Sequence, residues 1–307
     1  MISIIVTYYN TGWMIGRCLE SISVQTYDDY EVIIVDNGST DKSKDAVDDV
    51  ISTGRIKNCY YHRIAHTDIN EAINYGIEQA NGKYLMIMDG YDFLNINALH
   101  YYYWGLINSG ADMIIGDFTD VFYKTRIQDI NLTPDNYNVM LIKPDKMIQK
   151  MHVPTVHSDM RFNRIWNKVY KASLFNGLKL RKGKGGEITA IKDIIMKCAS
   201  IAIASFTLYY KATIPNTKLD MTIADAYRER LDFLNKNCGV YGEKAVEGAQ
   251  YLLLTNLTDI YLSDRSPEFR IKCGRELAEA YKLYFYCVPN GKRADLITRI
   301  CKKLLTK

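Results

Sequence analysis

Apolar runs and helical patterns alternate along the first 120 residues of the chain. Five short runs are rich in apolar and β-branched residues, and segments with apolar residues every three or four positions separate them. The runs are ISIIVTYY, YEVIIVD, CYYHRI, KYLMIMD and ADMIIGDF. Strands that alternate with helices in this way are typical of a mostly parallel sheet covered by helices on both faces.

The pattern changes twice after this region. Residues 121–165 lack a regular period and are predicted to form long loops over the sheet. Order returns around RIWNKVYKASLF, and EITAIKDIIMKCAS is typical of an amphipathic helix that leads into a further strand. After Pro215 the pattern is helical to the end. We therefore predict an α/β domain of residues 1–215 and a helical domain of residues 216–307.

Composition narrows the class of protein. The chain has 307 residues, of which 48% are hydrophobic, so it can bury a sizeable core. Its 39 basic and 35 acidic residues are too evenly mixed for a general nucleic-acid binder. Seven scattered cysteines without a C-x-x-C spacing suit reduced thiols, and the N-terminus has neither a signal peptide nor a membrane-span pattern. The expected location is the cytoplasm.

Polar clusters follow three of the predicted strands. They are Thr7, Tyr9 and Asn10 after the first strand, Asp36 and Asn37 after the second, and Asp89 and Asp92 after the fourth. Ligands of such sheets bind outside the carboxyl ends of the strands, so these clusters are expected to meet. Tyr9 offers a ring on which a base can stack, and Asp89 and Asp92 offer carboxylates for Mg²⁺ or Mn²⁺. The plainer alternatives are a turn with a helix cap at DNGSTD and a solvated loop at residues 89–92.

Four stretches carry a further signal: SIIVTYYN, CLESISVQTYDDYEVIIVDNGSTDKS, INEAINYGIEQANGKYLMIMDGYDFL and WNKVYKASLF. In these stretches the chain resembles the family 2 glycosyltransferases, which are inverting sugar-nucleotide enzymes of the GT-A fold. The resemblance covers most of residues 1–120 and returns over about 160–212. It implies a Rossmann-like, mostly parallel mixed sheet between helices, to which this chain adds the helical C-terminal region.

The resemblance implies roles for individual residues. Thr7 and Tyr9 stand where the family holds uracil, and Asp36 with Asn37 where it contacts the base and ribose. Asn10, read from the sequence alone, is expected to offer the donor a hydrogen bond. Asp89 is the first acid of the family's D-x-D metal element, with Asp92 as a second expected ligand of Mn²⁺ or Mg²⁺. Glu187 is the first letter of the family's Glu-Asp catalytic pair.

Two positions depart from the family pattern. Tyr91 stands where the metal element has an acid, and a phenol is a poor ligand for a hard cation. Ile188 aligns with the general base, and isoleucine cannot accept a proton. The remaining candidate bases are Glu187, Asp159 and Asp193, of which Asp193 is more simply a solvated position on its helix. The cations that could neutralise a diphosphate are Arg161, Arg164 and Lys168, or these could be ordinary surface groups.

The sequence therefore predicts inverting transfer of a sugar from a nucleotide diphosphate sugar, with uridine diphosphate sugar expected, to a glycan hydroxyl in bacterial surface polysaccharide synthesis. The alternative is an impaired pseudo-glycosyltransferase that binds a glycan or a partner protein. The expected acceptor is a glycan or a lipid-linked glycan. The basic helix at 292–307 could lie on the inner membrane face or pack on its own domain. The helical region could also form homo- or hetero-oligomers.

Overall fold

The computed structural model describes residues 1–125, 138–153, 156–214, 219–263 and 266–306, with the side chains of residues 156–159 and 206 not described. The strands in these ranges are β1 (Ile2–Tyr8), β2 (Tyr30–Asp36), β3 (Cys59–Arg63), β4 (Tyr84–Asp89), β5 (Phe93–Leu94), β6 (Met113–Phe122), β7 (Val139–Ile142), β8 (Lys168–Lys171) and β9 (Ile201–Thr213). The helices are α1 (Met14–Ser23), α2 (Ser43–Ser52), α3 (Ile69–Gln79), α4 (Ala98–Ser109), α5 (Pro144–Lys150), α6 (Val156–Asn163), α7 (Gly185–Lys197), α8 (Met221–Lys236), α9 (Cys238–Tyr241), α10 (Glu243–Ser263), α11 (Pro267–Tyr284) and α12 (Lys292–Leu305).

The described strands join in one mixed sheet with the order β3-β2-β1-β4-β8-β6-β9-β5, and β7 also pairs with β9. Neighbours β3, β2, β1 and β4 are parallel, as are β6 and β9, whereas β8 runs antiparallel to both β4 and β6. This architecture confirms the predicted fold class. It also brings the carboxyl ends of β1, β2 and β4 side by side.

Both faces of the sheet are covered because its strands carry apolar side chains in both directions. In β1, Ile4 packs in a core cluster with Leu19 of α1, while its neighbour Ile5 packs in the opposite cluster with Ile73 of α3. All these side chains are buried. Gly76 lets α3 approach β1, since a Cβ there would lie 2.4 Å from Ile5 Cγ2.

Residues 121–165 contain more regular structure than predicted. The described parts include β7, α5 and α6, so the expectation of long loops is wrong there. Pro144 is the reason for the error at α5, because it occupies the first turn of the helix, where a missing N–H costs nothing. Residues 126–137 and 154–155 of the predicted loop lie outside the described residues.

The helical region packs on the sheet through a common core. Ile297 of α12 and Leu254 of α10 belong to the same buried cluster as Ile5 of β1. The domain boundary near residue 216 stays a prediction, and residues 215–218 lie outside the described ranges. In the part of the chain that the structure describes, no helix combines the length and apolarity needed to cross a bilayer.

The C-terminal helix uses its apolar face for packing. Ala294, Ile297 and Cys301 are buried, and Leu304 packs against the core, which leaves Leu305 as an exposed apolar side chain at its end. Basic residues including Lys302 and Lys303 remain exposed. Of the two interpretations of this helix, the packed one has direct contacts in the structure, and membrane contact stays a prediction.

Candidate functional site

Strand pairing brings the predicted clusters together. Tyr8 is in register with Asp36 of β2, and Thr7 is in register with Asp89 of β4. The loops are tied as well, because Gly90 N–H donates to Thr7 O at 2.9 Å. A Cβ on Gly90 would lie 2.7 Å from Tyr8 Cβ, so glycine permits this approach. We call this region, residues 7–12, 36–41 and 89–92 with the first turn of α7, the strand-end site.

Tyr9 presents an aromatic ring at this site. Its side chain is 37% exposed, and the ring stacks on His66 with centroids 4.0 Å apart and an angle of 26°. His66 is exposed, and its Nδ1 lies 3.0 Å from Asn37 O. His66 covers one face of the Tyr9 ring, so a base that stacks directly on Tyr9 would use the opposite face. Sequence reasoning missed His66, which lies 57 positions from its stacking partner.

Asp36 and Asn37 form the floor of the loops. Asp36 is fully buried, with Oδ1 accepting from Ser39 N–H at 2.7 Å and Oδ2 accepting from the Tyr61 hydroxyl at 2.9 Å. The Asn37 amide exchanges two hydrogen bonds of 2.9 Å with the backbone of Thr67. These contacts fix the loop conformations. Direct contact of either residue with a base or ribose stays a prediction.

Asn10 and Thr7 are also held by the protein. Asn10 adopts a left-handed backbone with φ of 49°, and its Oδ1 accepts from Thr40 N–H at 2.8 Å. Thr7 is buried within β1. Asn10 thereby links the loop after β1 to the loop after β2, and its predicted ligand contact is untested.

The two acids of MDGYD have different surroundings. Asp92 is fully buried: Oδ2 accepts from the Tyr209 hydroxyl at 2.6 Å, and Oδ1 accepts from Ala212 N–H at 2.9 Å and lies 3.4 Å from Lys211 Nζ. Its oxygens are thus engaged in fixing β9 to the loop. Asp89 is half-buried, and Oδ1 accepts from Tyr91 N–H at 3.1 Å. Burial and the charge of Asp92 raise the pKa of Asp89 to about 6.

Tyr91 spans the gap between two loops. Its hydroxyl lies 3.5 Å from Tyr9 O and 3.4 Å from Asn10 O, close to the limit for a hydrogen bond. The buried guanidinium of Arg17 donates to the Tyr91 carbonyl and lies 4.4 Å over the Phe93 ring. Tyr91 is therefore packed as a structural bridge where the family pattern has an acid.

Glu187 and Ile188 point in different directions from α7. Ile188 is fully buried in the hydrophobic core, and its carbonyl accepts from the buried Arg230. Glu187 is half-buried, its Oε2 accepts from Ile165 N–H at 3.3 Å, and its charge contributes to the raised pKa of Asp89. An acid at position 188 would thus lie in the core. Of this pair, Glu187 is the residue whose side chain lies outside the core, and its charge acts on Asp89.

The start of α7 is fixed by α3. Asp68 caps α3 by accepting from Asn70 N–H, and its other oxygen accepts from Gly183 N–H at 2.9 Å. The Asn70 amide donates to the carbonyls of Arg181 and Gly183 at 2.8 and 2.7 Å. These hydrogen bonds fix the start of α7, the helix that carries Glu187. Asp159, another candidate base, lies in α6, but its side chain is not described.

The cations suggested by sequence have structural partners. Arg161 forms an ion pair of 3.0 Å with Asp117 and donates to Gly116 O at 2.9 Å. Lys168 is fully buried, burial lowers its pKa, and its ammonium donates to three backbone carbonyls. Lys211, which sequence reasoning missed, is the cation beside Asp92. Its signal was a lysine inside the apolar run TLYYKAT.

A metal ion bound at this site would have few protein ligands. Among the described residues, no three His, Cys, Asp or Glu side chains are grouped closely enough to hold an ion. Asp89 is the carboxylate best placed to bind one, since Asp92 is enclosed by Tyr209, Ala212 and Lys211. Mg²⁺ is commonly held by one or two carboxylates together with substrate phosphates, so Asp89 suits that chemistry.

The sheet, its helices and the acids at the strand ends define a GT-A-type protein. The chain belongs to glycosyl transferase family 2, whose model matches residues 3–171. It is similar to the glycosyltransferase GlyA of Streptococcus pneumoniae serotype 4, with 25% identity over 191 residues. The match covers 61% of this chain and 26% of GlyA, so the chain spans about a quarter of that relative's length.

Solved structures share the fold. TarS of S. aureus (residues 1–349), in complex with UDP-GlcNAc, has a TM-score of 0.63 at 14% identity and covers 99% of this chain and 91% of its own. The mannosyltransferase PcManGT of Pyrobaculum calidifontis, in complex with GDP-Man and Mn²⁺, has a TM-score of 0.56 at 14% identity, with 99% and 86% covered. These similarities confirm the fold that the sequence predicts.

Proposed function

We propose that the chain transfers a sugar from a uridine diphosphate sugar to a glycan hydroxyl with inversion, in the synthesis of a bacterial surface polysaccharide. The observation that carries this proposal is the convergence of three strand-end clusters at one edge of the sheet. Membership of family 2 supports the reaction class. The UDP-GlcNAc complex of the similar TarS supports a uridine nucleotide.

The donor would lie across the strand ends. The base would stack near Tyr9 and His66, above the loops that Asp36, Asn37 and Asn10 hold. The diphosphate would lie toward Asp89, because the family places the metal element there. Thr7 would line the pocket from β1. A divalent ion held by Asp89 and the phosphates would neutralise negative charge on the leaving diphosphate, and the Mn²⁺ complex of PcManGT supports this cofactor.

Glu187 is proposed as the general base. The acceptor oxygen would form its bond to the anomeric carbon while the bond to the diphosphate oxygen breaks, and the hydroxyl proton would pass to a Glu187 carboxylate oxygen. The nucleoside diphosphate would leave with the bonding electrons. The half-buried position of Glu187, with one hydrogen bond from the Ile165 backbone, leaves its carboxylate available for a proton. Asp159 stays a second candidate base.

The acceptor is proposed to be a glycan or lipid-linked glycan presented at the cytoplasmic face of the membrane. The exposed lysines of α12 support contact with an anionic surface, although its apolar face packs on the protein. We also propose that the helical region forms homo- or hetero-oligomers. Light scattering of the protein in solution would test this proposal.

A pseudoenzyme that binds a glycan or a partner protein is the second candidate, and Tyr91 is the observation that favours it. Ile188 supports the pseudoenzyme less strongly than Tyr91 does. Its side chain lies in the core, and half-buried Glu187 is the acid proposed for the site.

The test is a donor screen. The protein is incubated with UDP-glucose, UDP-galactose, UDP-GlcNAc and GDP-mannose, with and without Mn²⁺, and released nucleotide is measured with bacterial glycan acceptors. Transfer from a uridine donor, with inverted configuration shown by NMR, is expected. Binding of uridine diphosphate without release from any donor would overturn the catalytic proposal and favour the pseudoenzyme.

A further inference from the structure

We infer that Lys211 is a donor-binding residue that contacts the diphosphate and supplies positive charge at a site where Tyr91 leaves the metal element one acid short. The inference rests on the proposed function, since it names the part of the donor that this residue contacts. It also assigns to the last strand of the sheet a role that the sequence did not indicate.

Lys211 is held near the end of β9. Its Nζ lies 3.4 Å from Asp92 Oδ1 and 3.4 Å from Ala212 O, and 5.8 Å from the centroid of the Trp166 ring. Its side chain is 18% exposed. Both polar contacts are long for an ammonium, which can donate three hydrogen bonds. The ammonium is therefore positioned by the protein while keeping capacity for another acceptor.

Asp92 does not depend on Lys211 for its main hydrogen bonds. The Tyr209 hydroxyl and the Ala212 N–H donate to it at 2.6 and 2.9 Å, both shorter than the contact with Lys211. Two donors already satisfy this buried carboxylate, and the cation lies at its margin. This arrangement anchors the ammonium beside Asp92, in the loop that follows β4, without using all of its donors.

Lys211 lies beside the loop that carries the acids of the strand-end site. Its Nζ is 3.4 Å from Asp92 Oδ1, and Asp92 N–H donates to Asp89 O at 2.9 Å. The ammonium is therefore next to the segment that holds Asp89. A diphosphate that binds beside Asp89 and Glu187 would meet repulsion, which a fixed ammonium offsets.

Three other cations have shorter contacts with the protein than Lys211. Arg17 donates to the backbone carbonyls of Tyr123, Thr125 and Tyr91. Arg161 and Lys168 have the structural partners described above. The two polar contacts of Lys211, both 3.4 Å, leave its ammonium less tightly bound than these three.

The experiment titrates uridine diphosphate and uridine into the full chain by calorimetry, first with EDTA and then with Mn²⁺. Lys211→Met is expected to weaken uridine diphosphate binding in EDTA roughly ten- to hundredfold, the effect of losing a charge-assisted hydrogen bond. Uridine binding should stay unchanged, and Lys211→Arg should retain most of the affinity. Equal affinity of Lys211→Met and wild type for uridine diphosphate would overturn the inference, as would an equal loss for uridine.

A second pair of variants guards against a folding defect. Lys211→Met leaves the Asp92 carboxylate without its counter-charge. Asp92→Asn is therefore compared with the double variant Asp92→Asn/Lys211→Met, because neither protein carries a negative charge at position 92. A further loss of uridine diphosphate affinity in the double variant supports direct contact with the diphosphate. No further loss means that Lys211 serves only the ion pair with Asp92, and the inference fails.

The outcomes also separate this inference from the proposed function. Wild type that binds no uridine diphosphate, with or without Mn²⁺, contradicts the proposed donor itself. Wild type that binds it only with Mn²⁺ keeps the proposed function but overturns the role of Lys211 as the fixed cation.

Discussion

The strand-end site and the helical region place their charged groups differently. At the strand ends, acids such as Asp36 and Asp92 are fully buried and satisfied by neighbours from other strands. In the helical region the ion pair of Arg228 with Asp225, 2.8 Å long, is exposed. Surface pairs contribute little to stability, whereas buried polar groups are costly to disturb. The predictions below test this contrast between buried and exposed charged groups.

The largest effect is expected at Glu187. Replacing it with Gln removes the proposed base but keeps its size, so transfer should fall about 100- to 10,000-fold while uridine diphosphate binding stays unchanged. Steady-state kinetics and calorimetry measure the two quantities. Asp193→Asn on the same helix is the control, because Asp193 is 46% exposed and pairs with Lys192. Similar activity in wild type and Glu187→Gln would remove Glu187 from the mechanism.

The variant Ile188→Asp tests whether the core-facing side of α7 tolerates a carboxylate. Ile188→Asp buries a carboxylate in place of a fully buried apolar side chain, so the free energy of unfolding should fall by at least about 3 kcal/mol. No gain in transfer is expected. Denaturant unfolding and the donor assay are the measurements. A stable variant with faster transfer would show that position 188 faces the acceptor.

Arg230 is the exception within the helical region, because it is buried. Its guanidinium donates to Asn163 Oδ1 and to Ile188 O, so Arg230→Met removes two buried hydrogen bonds from a charged donor. We expect a loss of about 2–4 kcal/mol in the free energy of unfolding. Arg228→Met, two positions away and partly exposed, removes ion pairs with Asp225 and Glu276 and should cost about 1 kcal/mol or less. Equal losses for the two arginines would erase the contrast between buried and exposed charge.

His152 gives the smallest effect, through pH. Burial and the positive charge of Arg230 lower the pKa of His152 to about 3, below the value of about 6.5 in an unfolded chain. Below pH 6.5 the unfolded state binds more protons, so stability falls as pH decreases toward 3. This group alone should cost about 1 kcal/mol between pH 6.5 and 5.5. Urea unfolding of wild type and His152→Gln at both pH values measures it, and an equal pH dependence of the two proteins would contradict the assignment.

Much of the sheet could be predicted because its signals are local. Uniformly apolar runs such as YLMIMD specify strands buried on both faces, and the polar residues after them fall at one edge when strands are parallel. The positions of Thr7, Asp36 and Asp89 at that edge follow from this rule alone.

Partners distant in sequence could not be predicted. Asp92 is enclosed by Tyr209 and Ala212, which lie 117 and 120 positions away, so its burial depends on the tertiary fold. The opposite directions of Glu187 and Ile188 depend on the rotation of α7, which α3 fixes through Asp68 and Asn70. Lys211 is a charged residue in an apolar strand, and nothing local indicates that Asp92 lies beside it.

Calorimetric titration of the full chain with uridine diphosphate, for wild type and Asp89→Asn, tests the central claim most directly. One saturable site that prefers uridine diphosphate over guanosine and thymidine diphosphates is expected. Its affinity should fall in Asp89→Asn when Mn²⁺ is present, because Asp89 is the carboxylate proposed to hold the ion. Absence of binding by wild type to any of the three nucleotides, with the protein folded and Mn²⁺ present, would contradict the claim that the strand-end site binds a nucleotide sugar.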